Sequence, residues 1–135
     1  MTELHELPDN IVTLLQGLTG AALIDVCITP ESYLSLAGNT SFPLVLVSYS
    51  DSRSDSEIYP GDTTINVDFI NITSDSNLID NYKQLIELMN AARKLLIVGD
   101  EETGEILRYQ SQGLYSMNDT YVNYRQTYNI GLSYQ

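Results

Sequence analysis

Apolar stripes along the chain alternate with polar breaks, and the period of each stripe predicts its element. Over 8–18, Ile11, Leu14, Leu15 and Leu18 recur at three and four residues, which is one face of a short helix. Pro8 suits its first turn, and Gly17 and Gly20 weaken its end. Leu23, Ile24, Val26 and Ile28 predict a strand over 23–29, stopped by Pro30. Residues 31–41 read as one helical turn and a loop through Gly38 and Asn39. The clearest buried strand covers 42–50, where Pro43 to Val47 are apolar without a break, as in a strand covered on both faces. Over 63–73, Ile65, Val67 and Phe69 share a side opposite Asn66 and Asp68. The apolar parity flips at Ile70 and Ile72, through a bulge or through burial of both faces.

The longest helix is predicted over 75–94. Leu78, Tyr82, Leu85, Met89 and Ala92 recur at four and three residues, and Ile86 and Leu88 widen the stripe. Asp75 and Asn77 suit its start, and Arg93 and Lys94 suit the negative end of its dipole. Leu95 to Val98 lead into a turn over 99–104. Strands over 105–114 and 121–135 close the chain. In the last, Val122, Tyr124, Tyr128, Ile130, Leu132 and Tyr134 share one parity, and Asn123, Arg125, Thr127 and Asn129 share the other. That alternation predicts a half-buried antiparallel strand. The order predicts a single α+β domain over 1–135: a twisted, mostly antiparallel sheet, one long helix packed across a face, and a short N-terminal helix.

Charge narrows the function. The 135 residues carry 18 acids and six bases, a net charge of −12. This argues against unaided grip on nucleic acid or anionic lipid, since phosphate binding needs Lys and Arg. Five of the six bases, Lys83, Arg93, Lys94, Arg108 and Arg125, fall in the second part of the chain. An acidic face and a mixed face that pair between subunits are therefore worth weighing against a plain solvated surface. No apolar run approaches the roughly 20 residues of a membrane span, and the N-terminus has no signal-peptide pattern, so a soluble protein of a reducing compartment is expected.

Candidate chemistry is sparse. The one histidine, His5, lies in the N-terminal stretch, and the one cysteine, Cys27, reads as a small buried hydrophobe. Zinc and iron sites lack ligands. Asp51, Asp55 and Glu57 have the alternating spacing of a calcium loop, but Arg53 stands at a ligand position and Ser56 replaces the turn glycine. The glycines at 99 and 104 enclose Asp100, Glu101 and Glu102, which repel phosphate. We therefore expect no catalytic residue, no metal, no cofactor and no enzyme. Ten tyrosines and no tryptophan are present, and six tyrosines lie between Tyr109 and Tyr134, where strand packing is favoured over a subunit interface. The strongest local feature is the polar stretch 51–62, expected as a twelve-residue loop between strands. Loops of that length tend to carry function. Asp51, Arg53, Asp55 and Glu57 form its charged part, and Ile58 and Tyr59 supply apolar surface for a partner.

In layout the chain resembles the phage tail terminators, small proteins that cap a phage tail tube. The likeness rests on size, acidic balance, the early helix, the strand Phe42-Pro43-Leu44-Val45-Leu46-Val47, and the excursion through Tyr59-Pro60-Gly61. The strand from Ile65 to Ile72, one long helix and tyrosine-rich closing strands complete it. The resemblance implies a virion protein at the head-proximal end of the tail, assembled in the host cytoplasm. It implies a homo-oligomer, a hexamer ring around a channel, with the tail tube protein and a neck or connector protein as partners and no membrane. Genomic DNA would pass through without specific binding, and the 51–62 loop would reach a neighbouring subunit or the tube. A neck or connector protein of the same particle, and a small cytoplasmic module that binds through a sheet edge, remain as alternatives.

Overall fold

Eight elements run in the order α1 (Leu7–Leu15), β1 (Leu23–Val26), α2 (Pro30–Leu36), β2 (Leu44–Arg53), β3 (Gly61–Ile72), α3 (Leu78–Val98), β4 (Arg108–Met117) and β5 (Tyr121–Leu132). The computed structural model describes residues 7–36, 41–53, 61–73, 78–98 and 107–132. The five strands form one sheet in the order β1-β2-β3-β5-β4. β1 and β2 are parallel and the other pairs antiparallel, so the α+β fold has a mixed, mostly antiparallel sheet.

Helices α1 and α3 cover one face. Ile11 and Leu15 of α1, Leu18 just past its end, and Leu85, Leu88, Met89, Ala92 and Leu96 of α3 are buried against Val45, Val47, Ile65, Val67, Phe69, Val122 and Tyr128. Gly20 turns the chain from α1 toward β1 at φ 97°, a conformation that L side chains rarely adopt. Helix α3 runs on past Lys94 to Val98, because Leu96 continues the buried stripe one turn beyond Ala92. The dipole argument for ending it at Arg93 and Lys94 therefore fails, and its last turn has no basic residue.

The opposite face is covered at one end by α2. Residue 30 starts this helix, and the strand before it is shorter than expected. Thr29 caps it: its Oγ1 accepts from Ser32 N at 3.1 Å, and Ser32 Oγ accepts from Thr29 N at 3.3 Å. Tyr33 and Leu34 of α2 pack with Phe42, Cys27 and Tyr121 on the buried Leu44, Leu46 and Ile70. This second cluster accounts for the parity flip in β3. Pairing of β3 with β5 is continuous from Gly61 to Ile72, so Ile70 faces away from Phe69 into a second core with no bulge. The shift in that hairpin falls in β2, between Tyr49 and Asp51.

One expectation fails along the sheet centre. The polar parity of β3 and β5 is not a solvent face, because Asn66, Asp68, Asn123 and Asn129 are buried. Asn66, Asp68 and Asn129 each accept a hydrogen bond from a side chain of a neighbouring strand. Thr127 Oγ1 donates to Asn66 Oδ1 at 3.2 Å, and Arg108 Nη2 donates to Asn129 Oδ1 at 2.8 Å.

Candidate functional site

The 51–62 stretch, expected as a loop throughout, is paired strand at both of its described ends. Asp51, Ser52 and Arg53 extend β2 and pair with Thr64, Thr63 and Asp62 of β3, so the hairpin arms continue into the polar segment. Backbone hydrogen bonds drive this, and they need no apolar side chain where a hairpin runs past the core. Asp55, Glu57, Ile58 and Tyr59 lie outside the described residues, as do His5 and the 99–104 turn.

At the far end of the sheet, β4 pairs with β5 alone among the described residues. Asn118 organises the turn between them: its Oδ1 accepts from Thr120 N and Tyr121 N, both at 2.8 Å. Thr73 anchors that turn to β3, with Oγ1 donating to Asn118 O at 2.9 Å. Every β4 residue from Gln110 to Met117 is exposed. Leu114 sits opposite Tyr124, whose ring lies 5.7 Å from that of Tyr82 on α3. Ile79, Tyr82 and Ile86 of α3 are exposed too, so a helix and an edge strand share an uncovered apolar strip. Arg93 caps its other end, 3.9 Å above the Tyr109 ring. The tyrosines divide in favour of packing: Tyr128 is buried, Tyr109, Tyr121 and Tyr124 are half-buried, and Tyr115 is exposed over Arg125 at 3.6 Å.

The strip is held by polar residues behind it. Gln126 is fully buried on the apolar side of β5, donating to Met89 O of α3 at 2.9 Å and to Gln112 Oε1 of β4 at 3.1 Å. Tyr128 Oη donates to Gln126 Oε1 at 2.7 Å, and burial raises the phenol's pKa. On the other face Arg125 clasps its cross-strand partner Asp68, Nε to Oδ1 at 2.8 Å and Nη2 to Oδ2 at 3.3 Å. Burial raises the Asp68 carboxyl above its ordinary value, and the pull of Arg125 and Asn123 offsets only part of this. Asn123 Oδ1, also buried, has no hydrogen-bond partner.

Cys27 lines a shallow hollow of about 310 Å³ with Val26, Ile28, Ser32, Tyr33 and Leu36. Burial, with Asp68 adding to it, pushes its thiol up to about 12, so the protonated form is favoured at neutral pH. Among the described residues no three His, Cys, Asp or Glu side chains come together as metal ligands, and no helix is long and apolar enough to cross a membrane.

No family model and no curated protein matches the chain. Sequence reasoning missed both the β4 strip and Gln126. Position 126 lies on the apolar parity of β5, and a polar residue on that parity was the available sign of a buried network. Leu114 and Met117 gave no such sign, since only the strand order puts them at an edge.

Proposed function

We propose that this chain is a non-enzymatic assembly protein, a ring-forming phage tail terminator that ends tube growth and offers a surface to the neck. The observation that carries the reading is the β4 edge, which no other described strand pairs. It is ten residues long, it exposes Leu114 and Met117 at 55% and 56%, and Arg108 is its one charged residue. Open, weakly charged edges with apolar side chains invite association, and soluble monomers blunt them. A ring covers such an edge in every copy. The net charge of −12 supports the channel role, because an acidic wall gives sliding DNA no fixed contact. The likeness in layout to tail terminators supplies the particle and the neighbours.

The same edge favours one further reading, a module that takes an extended peptide as an added strand. Inactivating the gene in the phage that carries it and imaging the particles separates the readings. Tubes of uncontrolled length beside filled heads are expected. Normal tails beside unjoined heads would move the protein to the neck, and normal infectious particles would sink both in favour of the peptide-binding module.

A further inference from the structure

Three strands meet around a single buried carboxyl on the sheet face away from α1 and α3. The Asp68 side chain has no exposed surface, while Arg125, which clasps it, keeps 22% of its own. Asn123 stands two residues before Arg125 on β5, diagonal to Asp68, and its amide N–H is hydrogen-bonded to the carboxylate. The amide oxygen of Asn123 is buried and takes no hydrogen bond. Tyr115 falls at the β4 irregularity between Leu114 and Ser116, which turns its ring over Arg125 at 3.6 Å. Gly113, opposite Arg125, brings no side chain, and a hollow of about 250 Å³ opens beside the guanidinium, lined also by Ser111, Tyr115 and Thr127. The other titratable groups acting on this cluster are Glu31 of α2 and, at the end of β1, Asp25 and Cys27. Strand β2 brings the uncharged Leu46 opposite Asp68.

We propose that these residues form a proton-operated latch on the edge strand: a proton on Asp68 turns the Asn123 amide over, loosens the Arg125 clasp and releases Tyr115. The proton comes from solvent and adds to a carboxylate oxygen. With Asp68 ionised, two charge-assisted bonds hold the guanidinium. Protonation removes the opposite charge, and the longer bond, Nη2 to Oδ2 at 3.3 Å, is the one that yields. The new O–H is buried and needs an acceptor. Asn123 supplies it. Its oxygen has no other partner, so turning the amide gives up only the bond already made to Asp68 and remakes it in the opposite sense. Arg125 has solvent contact and a hollow to move into, so its charge is not stranded. Burial favours the protonated carboxyl, so acid opens the latch and rising pH closes it. Leu114 precedes Tyr115 on β4, so the setting of the exposed strip follows the proton. The latch stands apart from the tail-terminator reading and is tested on the protein alone.

An NMR titration of the isotope-labelled full chain from about pH 4 to pH 8 is the test. It follows the Asp68 carboxyl carbon, the Arg125 Nε–H, the Asn123 side-chain amide and the Tyr115 ring. All four are expected to shift with one midpoint, above the ordinary aspartate value of about 3.9. A second sample carries Asp68→Asn, which is uncharged at every pH. Its Arg125 and Tyr115 signals are expected to stay, throughout the range, where the parent's arrive in acid. An Asp68 carbon with no midpoint above the ordinary value would overturn the latch. So would Asn123, Arg125 or Tyr115 signals that stay flat while Asp68 titrates, or Asp68→Asn signals that match the parent at high pH. Where Asp68→Asn fails to fold, the parent titration decides alone. The terminator reading is untouched by these outcomes and falls only if particles lacking the protein have tails of normal length.

Discussion

Asp68 shows how a single charge is held in this sheet. It is fully buried at the centre of β3, and its counter-charge comes from Arg125, 57 residues away along the chain. Replacing it by Asn leaves Arg125 without a counter-ion, and we expect a loss of about 3 kcal/mol, the lower end for a broken buried pair because Arg125 keeps some solvent contact. The pH dependence has a definite sign. With its pKa raised in the folded chain, Asp68 holds a proton that the unfolded chain has released, so its contribution is greatest in acid. It declines as pH rises from the ordinary carboxylate value to the raised one. From about pH 4 to pH 7 the urea midpoint should therefore fall less, or rise more, in Asp68→Asn than in the parent, and an unchanged difference would refute the raised value. Cys27 gives a second check at this scale. A thiol at about 12 should alkylate at neutral pH about a hundredfold or more slowly than free cysteine. Labelling at the rate of a free thiol would contradict its burial.

Helix α2 is the element whose role depends most on its neighbours. Seven residues make too short a helix to stand alone in water, so the cap and the cluster beneath it decide whether it forms. Thr29→Ala removes the side-chain acceptor for Ser32 N and should lower stability by about 1 kcal/mol, read from the shift in urea midpoint. If the cap matters through α2, iodoacetamide should also reach Cys27 faster in that variant, because Cys27 and the α2 residues Tyr33 and Leu34 pack on the same cluster. An unchanged labelling rate would mean that α2 holds without its cap. Strand β4 is the converse case. Gln126 bonds to Gln112 and to the backbone of Met89, so it ties the edge strand to α3 through the core. Gln126→Leu should leave the Tyr128 hydroxyl without its acceptor and cost about 1–3 kcal/mol. A neutral result would show that the network adds nothing to stability.

On the scale of the whole molecule the sheet is covered unevenly. Helices lie on both faces around β2 and β3, while β4 stands outside with one neighbour. Heads and tubes aside, the charge makes an independent prediction about DNA. A filter-binding assay at low salt should detect no retained duplex, since a protein with net charge −12 has too few cations to release counterions. Retention at low salt, lost at high salt, would count against a channel through which DNA slides.

Period and parity alone determined the number and kind of most elements. Leu85, Met89 and Ala92 mark α3, Ile65, Val67 and Phe69 mark β3, and Val122 and Tyr128 mark β5, because a buried stripe must repeat with its backbone. Element ends were less legible. Hydrogen bonding carried β2 into Asp51–Arg53, and burial of Leu96 carried α3 past two cations, and neither force shows in local composition. Of the candidate loop, the sequence located the polar run but could not say that its arms are paired. The strand order β1-β2-β3-β5-β4 was decided only in three dimensions. That order buries Asp68 and Asn123, and it leaves Leu114 and Met117 uncovered. Exposure depends on which strands become neighbours, and pairing between segments dozens of residues apart leaves no periodic trace in either one.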